Sequence, residues 1–334
     1  MKLSICVTTH NRLPFLKLLL EQLQQVSFTS FEIIVSDDST NDETENYFRD
    51  NPLSGIRYFR NSSNLGPYQN SNACIARAKG EWIQIVNDDD QINPGYLSGI
   101  TPLLDQDDIV MITGKTIIEG KNAESVTKLH QEKLNKLGLS EPGIYDGKKL
   151  IPGSLIHGNP FVFSHTIFRR EAAISIGGFN SRLRYAGDFN LWLNLLRKGK
   201  CYVTDTRMGM YFVHDSNAVV NEGRWTPFSE FMYEKMYFAK DVKSYCAKEE
   251  YSAYMLEIRK EFPAALFFSA KILKREELYK SLKTLIGQYG LRPYYFSAKS
   301  IFFSLLNVLP APVAAGTYHF FRRRKLRLSG NSFF

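Results

Sequence analysis

Cysteine is scarce and scattered: the chain has four, Cys6, Cys74, Cys201 and Cys246, with no C-x-x-C pair. That excludes a zinc ribbon and a disulfide framework and points to a reducing compartment. No G-x-G-x-x-G follows the first strand-like run, and no G-x-x-x-x-G-K-[ST] occurs anywhere. A dehydrogenase-type dinucleotide fold and a P-loop are both disfavoured. Met1-Lys2 runs straight into Leu3–Val7 without an apolar core or cleavage site, so no secretory signal is expected. No Ser-His-Asp or Cys-His arrangement has a recognisable local context, and no repeat or low-complexity tract is evident.

What remains is an ordinary folded composition. The 334 residues, 44% hydrophobic and 23% charged, suffice for one large α/β domain with an extension, or for two domains. The net charge of +8 is unevenly placed: residues 226–334 hold 18 Lys/Arg against 9 Asp/Glu, and residues 1–225 hold 24 against 25. Such asymmetry points to nucleic acid or an anionic membrane surface as partner. No nucleic-acid-binding module is recognisable, so no nucleic acid is expected and the membrane is preferred.

Strand-like and helix-like segments alternate from the N-terminus. Leu3–Val7 reads as a buried strand ending in Thr8-Thr9-His10-Asn11-Arg12, and Leu16, Leu19, Leu20 and Leu23 then recur at helical spacing. Phe31–Val35 is a second strand, closing on Ser36-Asp37-Asp38. A helix over Glu43–Arg49, a strand over Ile56–Phe59, a helix over Tyr68–Ala78 and a strand over Trp82–Val86 follow. This rhythm implies βαβ units and a mostly parallel, doubly wound open sheet with flanking helices. The fourth strand ends in Asn87-Asp88-Asp89-Asp90. Carboxylates at a strand's carboxyl end lie at the rim where α/β sheets bind ligands. Three adjacent negative charges invite a hard cation held by carboxylates and substrate phosphates; the alternative is a solvated acidic turn. Residues 109–158 are less readable, with a helix near Ala123–Leu137. A short helix over Arg169–Gly178, an amphipathic helix over Asp188–Lys198, and strands over Tyr202–Thr204 and Met208–Val213 complete this part.

The ordered set Ser4–Arg12, Ile33–Asp42, Asn64-x-Gly66, Ala78–Trp82 leading into Asn87–Asp90, Phe168–Glu171, Ile176–Phe179 and Gly187–Leu193 resembles the inverting, nucleotide-sugar-dependent glycosyltransferases of family 2. The likeness covers roughly the first 215 residues and implies the Rossmann-like GT-A fold for residues 1–220. It implies a nucleotide-sugar donor, UDP favoured, a glycan or lipid-linked glycan acceptor, and a divalent cation, Mn²⁺ or Mg²⁺. By the same resemblance Thr8 and Asp38 line the nucleobase pocket, since a carboxylate can accept from a pyrimidine N–H. Asn11 and Arg12 follow in the nucleotide loop, with Arg12 toward the diphosphate. Asp89 is the direct metal ligand, Asp88 touches the ribose or the ion through water, and Asp90 supports. His214 is a further metal or diphosphate ligand, the alternative being a structural histidine, and Asp188 is the general base. For Asp38 and Asp188 the alternative is helix or turn capping; for Arg12 it is a surface salt bridge. The chain departs from the family in Asn87, in Gly187 where the pair's first acid stands, and in Asn70-Ser71-Asn72 where an Arg is usual. Trp192 reads as core.

Residues 221–334 are expected to form a basic α-helical extension. Ile301–Phe321 is largely apolar and is followed by Arg322-Arg323-Arg324-Lys325-Leu326-Arg327. Pro310 and Pro312 would break a spanning helix, so an interfacial hairpin against headgroups is preferred. The expectation is a cytoplasmic, peripheral membrane enzyme of surface-glycan or glycolipid synthesis. Its rivals are a non-catalytic sugar-nucleotide-binding relative and a nucleotidyltransferase, which would want a glycine-rich phosphate loop and a Lys near the first strand.

Overall fold

In a computed structural model of the chain, residues 1–26, 30–213 and 227–258 are described. The chain divides into two compact units, Met1–His214 and Asp215–Phe334.

The first unit is built on one sheet of nine strands. Strand β1 (Leu3–Thr9) is buried along its whole length, as a central strand covered on both faces must be. Strands β2 (Phe31–Asp37), β3 (Ile56–Arg60) and β4 (Trp82–Asn87) give the order β3-β2-β1-β4, all parallel. Helices α1 (Leu13–Gln24), α2 (Glu43–Asp50) and α3 (Pro67–Arg77) make the crossovers. Helix α1 buries Leu16, Leu19, Leu20 and Leu23, the stripe expected from their spacing, each leucine worth roughly 2 kcal/mol of apolar transfer. The chain winds outward from β1 to β3 and returns to β4 on the other side of β1. That reversal is the switch point beyond which an α/β sheet binds ligands. Gly80 lets the turn before β4 lie against β1, since a Cβ there would sit 2.5 Å from the Ser4 amide nitrogen.

Beyond β4 the sheet is mixed. The elements are β5 (Gln91–Ile92), α4 (Tyr96–Ile100), β6 (Ile109–Gly120), α5 (Ala123–Leu137), β7 (Gly143–Asp146) and α6 (Gly147–His157), then β8 (Thr166–Arg169), α7 (Arg170–Ser175), α8 (Gly187–Leu196) and β9 (Lys200–Val213). The order continues β4-β8-β6-β9-β5. Strand β8 runs antiparallel to β4 and β6, β6 runs parallel to β9, and β5 and β7 run antiparallel to β9. Two elements fall in the stretch the sequence left unread. Strand β6 is buried from Ile109 to Thr113 and then emerges, so its apolar signal fades halfway. Helix α6 carries Pro152 in its interior, which argues against a helix on local grounds. The two late strands are one, β9, whose register with β6 shifts around Lys115, a bulge that absorbs the polar interruption.

The second unit contains α9 (Pro227–Tyr245) and a helical run over residues 248–258. The Tyr254 hydroxyl donates to the Lys235 carbonyl at 2.8 Å and joins them. Among the described residues no helix is long and apolar enough to cross a membrane. The apolar stretch 301–321 and the basic tail lie outside the described residues.

Candidate active site

Register places the ends of three strands level, with Thr8 opposite Ser36 on β2 and opposite Asn87 on β4. Their polar termini are bonded to one another. Thr8 Oγ1 donates to Asn87 Oδ1 at 3.4 Å, and Thr9 Oγ1 to Asp88 Oδ2 at 2.7 Å. Asn11 adopts φ 54°, a left-handed conformation that Asn tolerates. Its Nδ2 donates to Thr40 Oγ1 at 2.9 Å and its Oδ1 accepts from the Thr40 amide at 3.0 Å. Asn11 therefore clasps the loop after β1 to the loop after β2. Asp38 is buried, and its carboxylate accepts from the Leu65 amide at 2.8 Å, the Gly66 amide at 2.9 Å and Asn61 Nδ2 at 3.2 Å. Those bonds take most of a carboxylate's acceptor capacity and fix the loop into α3 against the rim. Asn70, where the sequence pattern wanted an Arg nearby, is buried and bridges Asn61 to the Ser36 carbonyl.

The acid triplet fans out. Asp88 turns to Thr9, while Asp89 Oδ2 accepts from Arg12 Nη1 at 2.6 Å, with Asp88 Oδ1 at 3.4 Å from the same nitrogen. Asp90 points inward and accepts from the Ser164 hydroxyl, whose oxygen in turn receives the Asn87 amide at 3.1 Å. Burial, with repulsion from Asp89, pushes the Asp88 carboxyl up to about 6 and the Asp90 carboxyl up to about 7. Among the described residues no three His, Cys, Asp or Glu side chains converge on one point. The carboxylate oxygens of Asp88 and Asp89 are of the kind that a hard cation shares with substrate phosphates.

Asp188 stands in the first turn of α8, where Ala186 is the N-cap, so it is not the cap itself, and the helix dipole favours its charge. Asn159 Nδ2 donates to Asp188 Oδ2 at 3.0 Å, and its own Oδ1 accepts from the Phe161 amide at 3.0 Å, which fixes the way the amide faces. Five residues on in the same segment, Ser164 holds Asp90, so the Cα atoms of the two anchoring residues lie no more than about 18 Å apart. Tyr211, on β9, senses Asp90, Asp89 and Asp188 together: burial and these charges push its phenol up to about 12. The acid triplet and Asp188 thus face one region of the unit.

Gly187 has a steric reason: a Cβ there would meet the Tyr68 ring at 2.5 Å. Tyr68 is itself held, stacked on Phe179 with centroids 5.7 Å apart and donating to the Tyr185 carbonyl at 3.0 Å. Trp192 is fully buried and packs edge-on against Phe168, centroids 5.6 Å apart, so it belongs to the core. His165 is buried between Thr116, 2.8 Å from Nδ1, and the Gln91 carbonyl, 3.2 Å from Nε2. Burial holds its imidazole down to about 4, so it is a neutral brace between strands. His214 lies outside the described residues. Asn159, Ser164 and Tyr211 escaped the sequence reading. The Gly158-Asn159-Pro160 turn was the only local signal for the first, and the others had none.

A sheet of this order, with carboxylates at its switch point, defines a mixed α/β, GT-A-like domain. The model of the family described as glycosyl transferase family 2 matches residues 4–177, and the chain belongs to that family. It is 28% identical over 212 residues to the GalNAc(5)-diNAcBac-PP-undecaprenol beta-1,3-glucosyltransferase of Campylobacter jejuni, covering 60% of this chain and 62% of that one. It is 34% identical over 132 residues to the abequosyltransferase RfbV of Salmonella typhimurium, covering 36% and 40%. The chain spans 62–64% of the length of three of the curated relatives it matches, the glucosyltransferase above among them. Among solved structures it resembles residues 1–349 of Staphylococcus aureus TarS in complex with UDP-GlcNAc, with TM-score 0.60, 18% identity, and 92% and 90% of the two chains covered. It also resembles a mannosyltransferase of Pyrobaculum calidifontis in complex with GDP-Man and Mn²⁺, with TM-score 0.54, 14% identity, and 92% and 87% covered.

Proposed function

We propose that the protein transfers a sugar, with inversion, from a nucleotide diphosphate sugar, UDP favoured, to a hydroxyl of a growing glycan in surface-polysaccharide or glycolipid synthesis. The observation that carries this is the segment from Asn159 to Ser164, which binds Asp188 at one end and Asp90 at the other. A base and an acidic donor rim are thereby held in one frame. Thr8 and Asp38 bound the nucleobase side, and Asp38 also fixes the loop that closes it. Asp188 takes the proton of the acceptor hydroxyl on its carboxylate. The hydroxyl oxygen bonds to the anomeric carbon while the bond to the diphosphate oxygen breaks on the opposite face, which inverts the centre. Asn159 orients the base, and a positioned base contributes about 10²–10⁴ in rate. Arg12 supplies positive charge beside the diphosphate. A divalent cation, carried on Asp89 with Asp88 and Asp90 behind it, would add Lewis-acid stabilisation of the leaving group. The acceptor is drawn from the phosphate-linked class: relatives are named for a PP-undecaprenol-linked glycan and for poly(ribitol-phosphate). The basic residues of 226–334 suit an anionic membrane surface at the cytoplasmic face.

The test is UDP-sugar hydrolysis and transfer with and without Mn²⁺, in wild type and Asp89→Ala, after a thermal-shift screen of donors. Cation-dependent turnover that Asp89→Ala abolishes is expected. Donor binding without turnover for any sugar would favour instead a sugar-nucleotide-binding relative, the reading that Asn87 and Gly187 keep in play.

A further inference from the structure

Helix α5 packs along α6. Leu137 Cγ lies 3.3 Å, and Lys133 Nζ 3.5 Å, from where Cβ atoms on Gly153 and Gly158 would be. Gly158 has φ +88°, a conformation that keeps a side chain away from this position. The residue after it, Asn159, donates to Asp188 at 3.0 Å. The Lys133 ammonium therefore stands at the shoulder of the candidate base. Among the described residues Lys133 makes no hydrogen bond or ion pair, and it is half-buried. His130, one turn earlier on the same face, is half-buried too and senses the Lys133 charge. Burial holds both groups below their ordinary values, and Asp188 is the acid that Lys133 senses. Tyr211 senses Asp89, Asp90 and Asp188. Lys133 thus lies within electrostatic reach of both Asp188 and His130, on a helix separate from the strand ends that carry the acid triplet.

A half-buried ammonium with no bonded partner costs free energy, which the charge of Asp188 offsets only in part and an anionic ligand would offset further. An ammonium with three donors beside an imidazole N–H suits a compact anion with several acceptor oxygens, whereas a planar carboxylate is better met by an arginine fork. We infer that Lys133 and His130 form a subsite for a phosphate group of the sugar acceptor, placing its hydroxyl at Asp188. This rests on the reading of Asp188 as the base of a glycosyltransferase, and it adds the residues that would hold the acceptor's phosphate.

The experiment is ³¹P NMR of methyl phosphate added to the full chain already saturated with UDP and Mg²⁺, so that the donor's phosphate site is filled. Line broadening is expected with wild type. Lys133→Met should weaken binding by about 10- to 100-fold, as for a lost charge-assisted contact; Lys133→Arg should retain most of it, and His130→Gln should show a smaller loss. Dimethyl phosphate in the same assay separates a phosphodiester within a chain, which it mimics, from a terminal phosphate, which only the monoester mimics. Broadening that UDP abolishes, or that is equal in Lys133→Met and wild type, overturns the subsite. UDP affinity is read in each sample by calorimetry. A chain that does not bind UDP sinks the glycosyltransferase reading instead, so the two failures are told apart. A thermal melt checks folding, and Lys133→Gln replaces Lys133→Met if the latter is unfolded.

Discussion

The parallel half of the sheet and the mixed half that follows β4 are built to different standards of closure. In the parallel half nearly every polar group at the rim is already committed to another: Asn11 to Thr40, Asp38 to the Leu65 and Gly66 amides, Thr9 to Asp88, Arg12 to Asp89. In the mixed half the chemistry hangs on longer excursions. Helix α5 has no fully buried residue, and Asp188, Asn159, Tyr211 and Lys133 come from separate elements. A rim held by its own hydrogen bonds needs little reorganisation when a ligand arrives. A half assembled from half-buried helices can change its surface residues at low cost in stability. Under the proposed function the first design would serve a common nucleotide and the second a varied acceptor.

The largest effect that would break this contrast is at Asp188. Asp188→Asn should lower kcat for transfer by about 10²–10⁴ and move the Kd for UDP far less; equal losses in both would place Asp188 on the donor side. Next comes Asp38→Ala, which strands the Leu65 and Gly66 amides at a cost of about 1–3 kcal/mol each if they stay buried. It should lower both Tm and UDP affinity, with Asp38→Asn intermediate; a normal melt with lost UDP affinity would mean that Asp38 acts on the base alone.

A third effect is pH-dependent and has opposite signs in the two regions. The Asp90 carboxyl is raised by burial to about 7 in the fold, so without added cation its contribution to stability is complete below about 4 and is lost as pH rises through about 7. The His165 imidazole is held down to about 4 by burial. Its contribution is present above about 6.5 and is lost as pH falls through about 4. Each is on the order of 3–4 kcal/mol. Urea melts from pH 4 to 8 should show Asp90→Asn removing the loss toward neutral pH and His165→Gln removing the loss toward acid. The smallest effect is at Gly187. Gly187→Ala presses on the Tyr68 ring and should cost about 1–3 kcal/mol, and the double variant with Tyr68→Ala should recover part of the strain. Additive losses would show that Tyr68 is not what keeps this position a glycine.

The parallel half was legible because its signals are local. Buried strands appear as continuous apolar runs, α1 as a leucine stripe, and the strand ends as polar loops, so β1–β4 and α1–α3 were read within a few residues of their observed bounds. Helix α5 was legible as well, from Ala123 to Leu137. Strand β6 and helix α6 were not, because half of one is exposed and the other contains Pro152; tertiary packing overrides both weak signals. The candidate site divides the same way. Asp38, Asp89, Asp90, Arg12 and Asp188 could be named from motif, but the contacts among them and with Asn159 and Ser164 could not. Ser164 meets Asp90 across 74 positions and Arg12 meets Asp89 across 77, and no periodicity reports contacts at that separation.

Sequence alone determined the family, the winding of β1 through β4 and the identity of the acids, because burial patterns and ordered motifs are written into neighbouring residues. Only the folded chain decided that Asn159 faces Asp188, that Tyr68 excludes a side chain at position 187, that Asn11 is a clasp, and that Lys133 packs beside Gly158. Those facts depend on close packing between segments remote in sequence. Their free energies come from burial and hydrogen-bond geometry, which exist only once the sheet has assembled.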